Sequence, residues 1–179
     1  MPVRRAFTIG HSTHAIDAFV ALLRGAGVHA VADVRRFPGS RRNPQFAREA
    51  LADGLAAHGI GYVHLEALGG RRSVVAGSPN EGWENAAFRG YADHMASAAF
   101  AVGLAELETL AATEPTAVMC AEALWWQCHR RLVADALLAR GWGVDHIGPD
   151  GERAAHALTP FAVVDAESLT YPAAQLRLA

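Results

Sequence analysis

The chain has 179 residues, of which 51 % are apolar and 19 % charged, and a formal net charge of −2 at pH 7. That balance excludes a disordered or coiled-coil chain and a domain that coats nucleic acid without specificity, although it leaves room for a local basic stripe. Two cysteines outside any spaced framework exclude a disulfide scaffold of the secreted type. All the basic residues are arginine, a bias that genome base composition explains as readily as selection for guanidinium chemistry.

The amino-terminal "MPVRRAFTIGHS" carries no apolar core of signal-peptide length, and no apolar run is long enough to span a bilayer. A cytosolic protein without a membrane partner is expected. "AFTIG" (Ala6 to Gly10) reads as a strand, followed by "HST" and a helix whose Ile16, Phe19, Val20 and Leu23 share one face. "HAVADV" (His29 to Val34) reads as a second strand. After the loop "RRFPGSRRNPQ", a helix is expected over Phe46 to His58 and a third strand at "GYVHL", Gly61 to Leu65.

A long loop, "EALGGRRSVVAGSPNEGWEN", then leads to helical sequence from about Phe88 to Ala112 with a break expected near Gly103. "TAVMC" (Thr116 to Cys120) is the fourth strand, Trp125 to Arg140 the next helix, "GVDHI" (Gly143 to Ile147) the fifth strand and "FAVVD" a candidate sixth. This alternation predicts a single α/β domain: a mainly parallel five- or six-stranded sheet with helices on both faces, a Rossmann-like three-layer sandwich. In such a sheet ligands bind beyond the carboxyl ends of the strands. The strand ends here carry His11 and Ser12, Asp33 and Arg35, His64 and Glu66, Cys120 and Glu122, and His146.

Each cluster has a chemical reading beside a structural one. Ser12 and Thr13 either cap the first helix or help its free N–H groups hold an anion, and His11 stands beside them. "DVRRFPGSRR" holds four arginines, among them Arg35, Arg41 and Arg42, whose guanidinium forks match phosphate oxygens; Asp33 either pairs with one of them or serves as a second carboxylate. On the long loop, Arg71 adds a further cation and Trp83 suits a closing or stacking lid. Cys120 reads as a nucleophile or a small buried apolar group, and Glu122 as a catalytic carboxylate or a charge at a helix start. His129 falls on the inward stripe of the fourth-strand helix, between Cys128 and Arg130. Adjacent helical residues diverge too far to chelate one ion and no "CxxC" pair exists, so neither a metal nor a cofactor is expected.

The segments "TIGHST", "DVRRFPGSRRNPQF", "YVHLEALGGRR", "FRGYADHM", "MCAEALWWQCHRRLVADALL" and "VDHI" together resemble the domain-of-unknown-function 488 family. The family pattern usually has a basic residue where Gln127 stands. The resemblance implies a cytosolic, mostly bacterial or archaeal protein with this strand–helix alternation, and brings no reaction with it. From residue type and placement, the expectation is an enzyme acting on an anionic phosphorylated substrate, a nucleotide or nucleic acid. Arg35, Arg41 and Arg42 would hold the phosphate with the first helix start assisting, Arg71 and Arg130 would join Ser12 and Trp83 in binding the substrate, Glu122 would be the catalytic carboxylate, and His129 or His11 the proton-transfer partner; base–sugar cleavage or transfer is the reaction expected. Sulfurtransferase-like chemistry at Cys120, or a non-enzymatic nucleotide or nucleic-acid binding module, are the alternatives.

Overall fold

Short apolar runs of parallel-sheet character become the strands of the computed structural model, which describes residues 3–174. Strands β1 (Arg5–Gly10), β2 (Ala30–Asp33), β3 (Gly61–His64), β4 (Thr116–Cys120) and β5 (Gly143–Ile147) pair in parallel, and β6 (Arg153–Ala155) adds antiparallel to β5. The order across the sheet is β3-β2-β4-β1-β5-β6. Every residue of β2 and β4 is buried, as expected of central strands covered on both faces.

The helices are α1 (Ile16–Gly25), α2 (Arg48–Ala56), α3 (Ala86–His94), α4 (Ala98–Thr113) and α5 (Arg130–Ala139). Alternation along β1 and β4 sends Ile9 and Met119 into a core with Phe19, Val20 and Leu23 of α1 and Leu51 and Leu55 of α2. The intervening residues Ala6, Val118 and Cys120 face a second core with Leu104 and Leu107 of α4 and Leu132, Val133 and Leu137 of α5. The result is the three-layer α/β sandwich that the alternation predicted. No single helix among the described residues is long and apolar enough to cross a membrane.

Several boundaries differ from the sequence reading, each for a local reason. The break in the long helical segment falls at residues 95–97, where the Ser97 side chain accepts the Phe100 N–H and caps α4. Gly103 instead lies inside α4, where a Cβ would meet Ala67 at 2.9 Å, so its small size serves close packing. The expected helix from Trp125 is divided into a 3-10 turn over Trp125–Gln127 and α5 from Arg130, with Cys128 extended between them. Trp125 and Trp126 therefore leave the inward face of α5, and His129 stands at its first turn, not mid-helix. The sixth strand of the sheet is Arg153–Ala155; "FAVVD" contributes Val163–Asp165 (β7), which pairs with Ser168–Thr170 (β8) in a separate hairpin.

Candidate functional site

Strands β1 and β4 are neighbours, but β1 leads through α1 towards β2 on one side while β4 leads through α5 towards β5 on the other. Their onward connections diverge to opposite faces and open a crevice beyond their carboxyl ends. The register sets Gly10 opposite Cys120, so the strands stop together. Pairing continues one step further, with the His11 N–H donated to the Cys120 carbonyl at 2.9 Å and the Ser12 N–H to the Ala121 carbonyl at 3.0 Å. A Cβ on Gly10 would lie 1.8 Å from the Glu122 carbonyl oxygen, which explains the glycine before His11. Gly10→Ala is expected to cost about 1–3 kcal/mol through displacement of the 121–123 backbone, measured by urea denaturation.

Ser12 adopts a left-handed conformation, φ 47°, and the backbone turns there before α1 begins at Ile16. Neither Ser12 nor Thr13 caps that helix, whose N-cap is Ala15 without a side-chain bond, and Ser12 does not line the cleft. Its expected place in anion binding is thereby corrected: three residues separate Ser12 from α1, and Ser12 stands outside the cleft lining.

Asp33, at the end of β2, is fully buried and fully engaged. Its Oδ1 accepts the Arg35 N–H and Nε–H at 3.0 and 2.9 Å, and its Oδ2 accepts Arg35 Nη2–H at 2.7 Å and the Tyr62 hydroxyl at 2.6 Å. Burial and the adjacent Asp33 carboxylate push the Tyr62 hydroxyl well above its ordinary range, which keeps it a donor. Asp33 is a positioning residue for Arg35 and not a second catalytic carboxylate. Arg35 in turn donates through Nη1 to the Phe46 carbonyl at 2.8 Å and to His11 Nε2 at 3.3 Å. Because His11 Nδ1 donates to the Ser12 carbonyl at 2.8 Å, its Nε2 is the acceptor for Arg35. Burial lowers the His11 pKa, consistent with a neutral ring stacked 4.3 Å from Phe46.

The cleft in front of these groups encloses about 560 Å³. Five arginines line it, Arg35, Arg36, Arg41, Arg42 and Arg71, against one carboxylate, Glu122. Arg41 and Arg42 are exposed on the loop after β2, and neither they nor the side chain of Glu122 has an ion pair or hydrogen bond among the described residues. Phe37 projects from the rim with 62 % of its surface exposed, and the guanidinium carbons of Arg36 and Arg71 lie 5.4 and 6.0 Å from its ring.

The cleft floor holds Cys120, Cys128 and His129. His129 donates Nε2–H to the Val34 carbonyl at 3.1 Å, which leaves Nδ1 facing the Cys128 sulfur at 3.6 Å; the Arg130 N–H reaches the same sulfur at 3.4 Å. Burial pushes the Cys120 thiol well above its ordinary value. Burial acts the same way on Cys128, but the Cys120 thiol, the His129 ring and the charge of Arg130 outweigh it and hold that thiol well below. The less basic sulfur is therefore Cys128, not the Cys120 picked out by sequence.

Two expected binding residues lie elsewhere. Arg130 is 1 % exposed and sits behind the cleft wall, donating to the Glu122 carbonyl at 2.5 Å and to Thr8 Oγ1 at 3.3 Å, so it fixes the turn after β4 and does not face a ligand. Trp83 is no lid: it is buried against Phe88, Phe161 and Tyr171, with Arg131 over its ring at 5.0 Å. The loop that carries it is anchored by Asp93, which accepts from Ser78, Asn80 and the Val75 N–H.

Behind Arg130 runs a buried chain that the sequence did not announce. Thr8 bonds His146 Nδ1 at 2.6 Å, His146 Nε2 bonds His156 Nδ1 at 2.9 Å, and His156 Nε2 bonds Asp135 Oδ1 at 2.8 Å. Tyr171 and the Thr159 N–H also donate to Asp135, and Trp125 stacks on His146 at 4.1 Å. One order of protons satisfies every member: Thr8 accepts from Arg130 and donates to His146, and each histidine donates from Nε2 towards Asp135. His146 at the fifth strand end thus belongs to the core, not the cleft. His64 likewise turns back to the Arg35 carbonyl at 2.8 Å.

No curated protein and no solved structure matches the chain. A family model does: that of the domain of unknown function DUF488 matches residues 15–137, from the segment before α1 through nearly all of α5. The match takes in the arginine loop after β2, the long loop and the β4–α5 turn, the parts that build most of the cleft, and the chain belongs to the DUF488 family.

Proposed function

We propose that this protein is an enzyme acting on an anionic, phosphate-bearing substrate, a nucleotide or the end of a nucleic-acid strand, and that it cleaves or transfers the bond between base and sugar. The observation that carries the proposal is the convergence of five arginines and a single carboxylate, Glu122, on one cleft beyond the ends of β1, β2 and β4. Exposed guanidinium forks suit phosphate oxygens, and the bare Phe37 ring offers a face on which a base can stack. Arg41, Arg42 and Arg71 hold the phosphate, while Arg35, already committed to Asp33, shapes the wall.

In this reading the Glu122 carboxylate attacks the anomeric carbon as the bond to the base breaks, and water or an acceptor hydroxyl then displaces the sugar from Glu122. The leaving base needs a proton. His11 Nε2 is turned to the Arg35 guanidinium, a cation that passes no proton to it, whereas His129 keeps Nδ1 on the cleft floor, so His129 is the proton-transfer partner: it passes a proton from Nδ1 to the base and recovers one from the water or hydroxyl that displaces the sugar. The two free thiols suit a reducing cytoplasm.

The test is a thermal-shift comparison of nucleoside and nucleotide pairs, followed by turnover assays on those that bind. A nucleotide at a hundred times its dissociation constant stabilises by about 2.7 kcal/mol, its nucleoside much less, and Arg41→Ala with Arg42→Ala removes the difference. Glu122→Gln retains the shift but loses turnover by ~10²-fold or more. Equal shifts for nucleoside and nucleotide would sink the phosphate site, and full activity in Glu122→Gln would sink the carboxylate mechanism.

A further inference from the structure

Neither cysteine is needed for the chemistry at Glu122, yet both line the floor of the cleft as free thiols within one packed cluster. Cys120 ends β4 and Cys128 stands two residues before α5. The surroundings of the two sulfurs differ. Cys128 receives the Arg130 N–H and faces His129 Nδ1, a nitrogen left as acceptor because Nε2 donates to Val34. Cys120 is 2 % exposed, packs in the α5-side core and has the Glu122 carbonyl 3.9 Å from its sulfur, an acceptor for its proton. Nucleophile, base and base-orienting carbonyl are thus assembled around one sulfur, with a second free thiol lining the same cleft floor.

We propose that Cys128 and Cys120 form a redox-active dithiol that reduces a small hydroperoxide, with Cys128 attacking, His129 accepting its proton and Cys120 resolving. The Cys128 sulfur attacks the terminal peroxide oxygen, the O–O bond breaks, and the departing oxygen leaves as alcohol or water with the proton from His129; Cys128 becomes a sulfenic acid. The Cys120 sulfur then displaces the hydroxyl as water and closes a disulfide. Two thiols lose two electrons and two protons, and the hydroperoxide gains both. Because both sulfurs are nearly buried, oxidants as small as hydrogen peroxide are the substrates. An external dithiol reductant restores the pair.

The experiment treats the reduced full-length protein with stoichiometric hydrogen peroxide, blocks remaining thiols with N-ethylmaleimide and weighs the tryptic peptide 90–130, which contains both cysteines. The expected peptide is unlabelled and lighter by two hydrogen atoms, and dithiothreitol returns both thiols. In Cys120→Ser, dimedone traps Cys128. Because that variant can misfold, the wild type is also given limiting iodoacetamide, which should label Cys128 before Cys120. A wild-type peptide that keeps two labelled thiols after peroxide, or labelling of Cys120 first, overturns the proposal. Neither result bears on Glu122, so the two proposals fail separately.

Discussion

Replacing Asp33 by asparagine is expected to lower the unfolding free energy by about 3–5 kcal/mol, read from urea denaturation of the variant beside the wild type. The carboxylate is wholly buried and accepts three bonds from Arg35 and one from Tyr62. Asparagine has a similar shape but no charge, and its amide presents donors where Arg35 also donates. A guanidinium with 8 % side-chain exposure then loses its counter-charge, and a buried unpaired charge costs far more than the pair itself contributes. Against a typical total of about 5–15 kcal/mol, such a loss is a large fraction of the protein's stability. The effect also reaches the cleft, because Arg35 bridges Asp33 to the Phe46 carbonyl and to His11. A loss below about 1 kcal/mol would mean that Asp33 and Arg35 do not form the buried pair described.

The second large effect is expected in the chain from Thr8 to Asp135. Asp135→Ala strands the His156 N–H, the Thr159 N–H and the Tyr171 hydroxyl in the protein interior, at about 1–3 kcal/mol for each donor left unpaired. The chain also predicts a pH dependence. Burial, with the neighbouring His156 and Arg130, lowers the His146 pKa from 6.5 to about 3. Between those values the unfolded imidazole binds a proton that the folded one does not, so stability falls as the pH drops through this window. The slope approaches about 1.4 kcal/mol per pH unit for one proton, and the loss is complete below the folded value. His11 and His94, also lowered chiefly by burial, act with the same sign. Denaturation midpoints measured across the window should therefore decline in the wild type and decline less steeply in His146→Gln; equal slopes would contradict the buried neutral ring.

Periodicity sufficed for the layers. The core face of α1, the run of β4 and the placing of polar groups at strand ends were legible because parallel βαβ units repeat one local pattern. Helix starts were less legible. The stripe from Trp125 onwards fits a helix, but Cys128 is held extended between a 3-10 turn and α5, and that single bend moves His129 from mid-helix to the cleft floor. Sequence pointed to Cys120 because it ends a strand, whereas Cys128 has the more acidic thiol because the His129 ring and the Arg130 N–H both reach it.

Residue types alone determined that this chain is a layered α/β protein with an arginine-rich loop at the ligand edge of its sheet. Tertiary structure decided which of the charged groups remain available. Asp33 and Arg35 neutralise each other, Arg130 turns inward to backbone carbonyls, Trp83 fills a core, and Arg41, Arg42 and Glu122 are left facing the cleft. The physical reason is that strand and helix patterns are set by neighbours a few positions apart. Whether a charge is buried and paired or free depends on partners far along the chain, such as His146 for Thr8 and Val34 for His129, which only the folded sheet brings within reach.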